Sequence, residues 1–292
     1  MKNPENSNKT SLNEAFKEIS PTAILTAYPR TFSDIPYYPE IFAAMRRAEL
    51  SISEDLLVSR LAPELEARHK LIDKLLSETG ACQVLEVAAG FSPRGINFVQ
   101  NRRSAQYVEL DLPDVAKTKR DILNSIVEVP ENLHILGGNA LEGKDFERAT
   151  AFFDPDKPVA VVNEGLLRYL TFAEKAKLAE NIRAVLSKFG GVWITGDGAT
   201  RQFGGESRTG STNQTILTNT KRQDLGNAFE SQAHMAEFFG GLGFGTDFHP
   251  FTEVQDELVS PKKLNFSDEE VTSKLLAYAD VVVMRVEKEV KE

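Results

Sequence analysis

The residues best placed to do chemistry are two carboxylates at the end of a short apolar run. Gln106-Tyr107-Val108-Glu109-Leu110 reads as a strand leading into Asp111. Glu109 and Asp111 share one face of that strand if it continues so far. They follow Gly90, in the turn after an earlier apolar run, by 19 to 21 residues. A carboxylate at this spacing can accept hydrogen bonds from both hydroxyls of a ribose, as in a nucleotide-binding βαβ unit. A solvated charge at a strand end is the plainer alternative for either residue.

Three other turns carry candidate ligand groups. Val84-Leu85-Glu86-Val87 runs into Ala88-Ala89-Gly90, small residues that suit close backbone approach to a ligand or tight helix packing. Gly137-Gly138-Asn139-Ala140 follows a third short strand. The Asn139 amide can both donate to and accept from an adenine ring, although Asn is common in Gly-rich turns for conformational reasons. Asn163-Glu164-Gly165-Leu166-Leu167-Arg168-Tyr169 follows a fourth, fully apolar strand. There Glu164 can face the positive end of a cofactor or pair with Arg168 four residues on.

The elements that must hold these turns alternate along the chain. Strands are expected at 82–88, 106–110, 133–136, 159–162 and 192–195, with helices between them at 96–100, 115–126 and 171–188. The last helix opens on the capping box Thr171-Phe172-Ala173-Glu174 and closes at Gly190-Gly191. Apolar strands separated by helices indicate an α/β fold with a parallel sheet covered on both faces. Before them, residues 11–80 read as a helical cap segment whose clearest helix is 62–79, with Pro63 in its first turn. Residues 1–10 read as a disordered tail. Within the core segment 81–292, the Gly- and Ser-rich stretch 196–226 reads as a flap near the ligand. A helix at 229–239, a strand at 245–251, an insertion at 252–278 with a helix near 268–278, and a final strand at 279–286 complete the pattern.

Composition narrows the function class. The 292 residues are 41% hydrophobic and 26% charged with a net charge of −9. That is an ordinary globular composition, and its acidity disfavours a nucleic-acid surface. No run approaches the apolar length of a membrane span, and the polar N-terminus lacks the apolar segment of a signal peptide. Cys82 is the sole cysteine and reads as a small buried hydrophobe. The setting expected is cytoplasmic, with no metal, and a homodimer is only the base-rate expectation.

Taken in order, these segments resemble the leucine carboxyl methyltransferase family, the branch that also holds polyketide-type O-methyltransferases. The resemblance rests on Leu85-Glu86-Val87-Ala88-Ala89-Gly90 and on Tyr107-Val108-Glu109-Leu110-Asp111-Leu112-Pro113, with Lys119 eight residues past Asp111, and on Glu164 to Tyr169. It extends upstream to Pro21–Arg30 and to Ala67-Arg68-His69-Lys70-Leu71-Ile72-Asp73. It implies a Rossmann-like class I methyltransferase sheet, mostly parallel with a C-terminal antiparallel strand, behind an N-terminal helical cap. It also implies S-adenosylmethionine as cofactor, leaving S-adenosylhomocysteine as product. The cofactor-binding set is then Arg68, Glu86, Ala88, Gly90, Glu109, Asp111, Asn139, Ala140 and Glu164. Arg68 is the partner of the methionine carboxylate, with Arg60 as fallback, since a guanidinium grips a carboxylate through two hydrogen bonds. Tyr169 and Arg30 face the methyl acceptor. The chain departs from the family pattern at Ala88, where Gly is usual, and at Asn139, where an acid is common.

The reaction so implied is O-methylation of a carboxylate or hydroxyl on a small molecule or peptide. Methyl transfer from a sulfonium is an in-line displacement, aided mainly by alignment. A carboxylate acceptor needs no general base, whereas a hydroxyl benefits from one. The four histidines, His69, His134, His234 and His249, form the pool, and none is assigned. Two readings compete. A nicotinamide-dependent oxidoreductase uses the same βαβ logic, but Ala88-Ala89-Gly90-Phe91-Ser92-Pro93-Arg94-Gly95 lacks the Gly-x-Gly-x-x-Gly that a pyrophosphate requires. A non-catalytic S-adenosylmethionine-binding protein would show the same cofactor motifs.

Overall fold

A computed structural model describes residues 21–47, 59–100, 102–200, 227–277 and 279–287. The tail expected at 1–10, the start of the cap at 11–20 and most of the flap, 201–226, lie outside the described residues.

Seven strands form one sheet in the order β3-β2-β1-β4-β5-β7-β6. They are β1 (Gln83–Val87), β2 (Gln106–Asp111), β3 (Leu133–Gly137), β4 (Val159–Asn163), β5 (Gly191–Thr195), β6 (Phe244–Pro250) and β7 (Asp280–Val286). The first five pair in parallel, and β7 runs antiparallel to both β5 and β6. The expected mostly parallel sheet with one antiparallel C-terminal strand is therefore the observed one. Strand order reverses between β1 and β4, and such a switch point opens a crevice beyond the carboxyl ends of the strands.

Side chains alternate across the strands, so each face of the sheet gathers its own core. Val84, Tyr107, Ile135, Val162 and Ile194 pack on one face with Leu71, Ile72 and Leu75 of α3 (Ala62–Glu78). Leu85, Val108, Val161 and Trp193 pack on the other with Leu178, Ile182 and Val185 of α7 (Phe172–Phe189). The intervening helices are α1 (Pro21–Arg30), α2 (Tyr38–Arg47), α4 (Arg94–Gln100), α5 (Pro113–Asn124) and α6 (Gly143–Thr150). The capping box of α7 forms as the sequence indicates, with Thr171 and Glu174 each satisfying the other's backbone N–H.

Two expectations need correction. The helix expected at 229–239, α8, starts only at Gln232, because the Ser231 hydroxyl accepts from the His234 N–H and fixes the start there. The helix expected near 268–278 is α-helical only over Asp268–Glu270 and continues as π-helix over Val271–Leu276. The insertion is anchored by Glu66 of α3. Its buried carboxylate accepts from the backbone N–H groups of Val259 and Ser260 at 3.0 and 2.8 Å.

Candidate functional site

Beyond the carboxyl ends of β1 and β2, the Ala88-Ala89-Gly90 turn and Asp111 hold one another. Asp111 Oδ2 accepts from the Gly90 N–H at 2.6 Å, and Oδ1 accepts from the Leu112 N–H at 2.7 Å. Burial raises the pKa of Asp111, and these two backbone donors oppose that rise. Each oxygen keeps a second lone pair for another donor. Gly90 has φ +49°, and a Cβ built on it would meet nothing within 4 Å, so the turn opens onto free space. Ala88 also has positive φ, at 55°. The Gly-to-Ala departure in the sequence therefore leaves backbone strain at that position.

Glu109 lies deeper than Asp111. Its carboxylate is buried 2.5 Å from the Lys119 ammonium, beneath Gly95, where a Cβ would meet Glu109 Oε1 at 2.4 Å. Burial pushes Glu109 up to about 7, against the pull of Lys119. Glu86, its register partner on β1, is equally buried and accepts from Arg94 Nη1 at 2.5 Å and from the Tyr107 hydroxyl at 2.9 Å. The two glutamates thus form an inner layer, and Asp111 forms the outer one.

At the end of β4, Glu164 is surrounded by guanidinium groups. Oε1 takes hydrogen bonds from Arg30 and, at 3.0 Å, from Arg68 Nε. Oε2 takes one from Arg94 Nη2 at 3.0 Å. These partners replace the Arg168 pairing left open by the sequence. Burial, joined by the nearby charge of Arg30, lowers Arg68 to about 10. It stays cationic at neutral pH. Gly196 lets its stem lie close, since a Cβ there would meet Arg68 Cγ and Cδ at 3.0 Å. Arg60, the fallback, pairs instead with Glu270 at 2.9 Å and is 68% exposed, so it plays no part in this cluster.

The loop bearing Glu164 is fixed by Asp197, which no local sequence pattern singles out. Its carboxylate accepts from the backbone N–H groups of Gly165, Leu166 and Leu167 at 2.8 to 3.0 Å, and from Asn163 Nδ2 at 2.9 Å. Asn163 in turn accepts from Trp193 Nε1 at 2.7 Å and donates to the Thr195 hydroxyl at 2.9 Å. The Tyr169 phenol, two residues past Leu167 on the same loop, is raised in pKa by burial. On the far side, exposed Asn139 uses its side-chain oxygen to accept from the Leu141 N–H at 3.0 Å, the local turn bond that the conformational reading anticipates. Ala140 lies beside it, half-buried, its carbonyl accepting from Asn181 at 3.1 Å.

Of the four histidines, only His69 reaches this region. It is buried, 3.1 Å from Arg94 Nη2 and 3.4 Å from the Tyr38 hydroxyl through Nδ1, and 3.3 Å from Asp73 through Nε2. Because an arginine can only donate, Nδ1 must accept, and the ring proton sits on Nε2 facing Asp73. Among the described residues no group of His, Cys, Asp and Glu is arranged to hold a metal ion, and no helix is long and apolar enough to cross a membrane.

Comparison with known proteins bears on the family and the fold. Residues 39–183 match the leucine carboxyl methyltransferase family. A Mycobacteroides abscessus protein named as a candidate S-adenosyl-L-methionine-dependent methyltransferase is 31% identical over 165 residues, 54% of each chain. The match therefore spans about half the length of that relative. Among solved structures, a DUF574-family protein from Streptomyces avermitilis aligns over 93% of this chain and 99% of its own, with TM-score 0.58 and 15% identity. A candidate methyltransferase from Thermobifida fusca aligns over 92% and 96%, with TM-score 0.54 and 16% identity. At such identities the two structures speak for the fold alone. Residues 39–183 are thus similar to the leucine carboxyl methyltransferase family, and the chain has the Rossmann-like fold of those two structures.

Proposed function

We propose that this chain is an S-adenosylmethionine-dependent O-methyltransferase acting on a carboxylate or hydroxyl of a small molecule or peptide. The observation that carries the reading is the pairing of two unlike ends across one crevice. Asp111 stands beside an open glycine turn at one end, and a cluster of arginines around Glu164 stands at the other.

A sulfonium nucleoside carrying an amino-acid tail fits those ends. Asp111 takes the ribose hydroxyls, with Gly90 and Ala88 close to the ribose and tail. Asn139 and Ala140 border the adenine. Arg68, whose outer nitrogens have no hydrogen-bond partner among the described residues, takes the tail carboxylate, and Glu164 faces the amino and sulfonium charges. A buried donor with no partner, Arg30 Nε, also favours an anionic or carbonyl oxygen nearby. Glu86 and Glu109 serve this site from beneath, through Arg94 and Lys119, rather than by direct contact.

When bound, S-adenosylmethionine supplies an electrophilic methyl group that passes to the acceptor oxygen as the sulfonium becomes a thioether. The chain aligns donor and acceptor and keeps water out. Arg30 and Tyr169 orient the acceptor on the Glu164 side. A carboxylate acceptor needs no proton removed. The test is transfer of labelled methyl groups to a panel of carboxylate and phenol acceptors. Labelled esters or ethers support the reading, and cofactor binding without transfer to any acceptor counts against catalysis.

A further inference from the structure

Arg94, in the first turn of α4, is buried beneath the end of β4. It is 1% exposed, and three elements meet on it. Nε donates to Asp73 of α3 at 2.6 Å and Nη1 to Glu86 of β1 at 2.5 Å. Nη2 lies 3.1 Å from His69 Nδ1 and donates to Glu164 at 3.0 Å. The neighbouring charges of Glu86 and Asp73 outweigh burial and raise its pKa, so it stays cationic.

The two oxygens of Glu164 are therefore held in different ways. Oε1 depends on Arg30 and Arg68, and Arg68 has outer nitrogens to offer a ligand. Oε2 depends on Arg94, which also donates to Asp73 and Glu86 and meets His69. When a ligand carboxylate draws Arg68 toward itself, Oε1 keeps Arg30, and Arg94 remains the hydrogen-bond donor that fixes Oε2.

We propose that Arg94 is a positioning residue, acting through Glu164, that holds this carboxylate facing the ammonium end of the ligand. The inference rests on the cofactor reading above. It predicts selectivity between ligands: Arg94 matters for those with an amino-acid tail and not for the bare nucleoside thioether. A purely structural role would affect both alike.

The experiment is calorimetric titration of wild type, Arg94→Lys, Glu164→Gln and the double variant with S-adenosylhomocysteine and with 5′-methylthioadenosine, which lacks the tail. Arg94→Lys is expected to weaken S-adenosylhomocysteine by about tenfold or more while methylthioadenosine stays within about twofold. In the Glu164→Gln background the same change is expected to cost little more, the signature of a coupled pair. If Arg94→Lys does not fold, Asp73→Asn, which removes one prop of the guanidinium, is expected to give the same pattern at smaller size. Equal weakening of both ligands, or an undiminished loss in the Glu164→Gln background, overturns the proposal. Wild-type protein that binds neither nucleoside overturns the cofactor reading itself, and this role with it.

Discussion

Asp111 Oδ2 accepts a hydrogen bond from the Gly90 N–H at 2.6 Å, fastening the end of β2 to the turn after β1. A single carboxylate therefore shapes the turn and presents lone pairs to the crevice. Asp111→Ala removes both functions. It should weaken S-adenosylhomocysteine binding by about 1 to 3 kcal/mol, the usual cost of losing hydrogen bonds to a charged group. Unchanged affinity in a folded variant would refute the ribose role.

Ala88 stands at φ 55°, a left-handed conformation that costs a non-glycine residue about 1 to 2 kcal/mol. Glycine relieves that strain but loses more entropy on folding. The expected net effect of Ala88→Gly is a stabilisation of up to about 1 kcal/mol, raising the melting temperature by roughly 2 °C. A lower melting temperature for the variant contradicts strain at this turn.

His69 should leave a mark on stability at low pH. Burial lowers its pKa from the ordinary 6.5, so the folded chain holds it neutral. The unfolded chain takes up a proton near pH 6.5, and stability attributable to His69 therefore falls as the pH drops below that value. His69→Asn keeps an acceptor toward Arg94 and removes the titration. The difference in unfolding free energy between wild type and variant should change by up to about 1.4 kcal/mol per pH unit below pH 6.5, and be flat at higher pH. Urea titrations from about pH 5 to about pH 8 measure it, and a pH-independent difference argues for a histidine that titrates normally.

Asp197 holds the Glu164 loop through three backbone amides and Asn163. Asp197→Ala leaves those donors without their acceptor and should cost about 2 to 3 kcal/mol of stability. Amide hydrogen exchange should accelerate first at Gly165, Leu166 and Leu167. Protection that persists there would show that other contacts fix the loop.

Much of the sheet was legible because its strands are continuous apolar runs buried on both faces, as Val159 to Val162 illustrates. The Thr171 and Glu174 cap was equally plain, since its two partners are three residues apart. Asp111 could be singled out by its spacing from Gly90. The Glu164 cluster could not be read in this way. Its guanidinium groups come from positions 134, 96 and 70 residues away, and no local pattern joins them. Arg94 was visible only as a residue at the start of a helix. For Arg60, local sequence offered no way to see Glu270, 210 residues distant, which holds it at the surface. Long-range charge pairing is set by topology, and sequence spacing carries little of it.

The most direct test of the account is calorimetric titration of the whole chain with S-adenosylmethionine, S-adenosylhomocysteine and NAD. Binding of both sulfur nucleosides with none of NAD is the predicted result. Tight binding of NAD with neither sulfur nucleoside would contradict it.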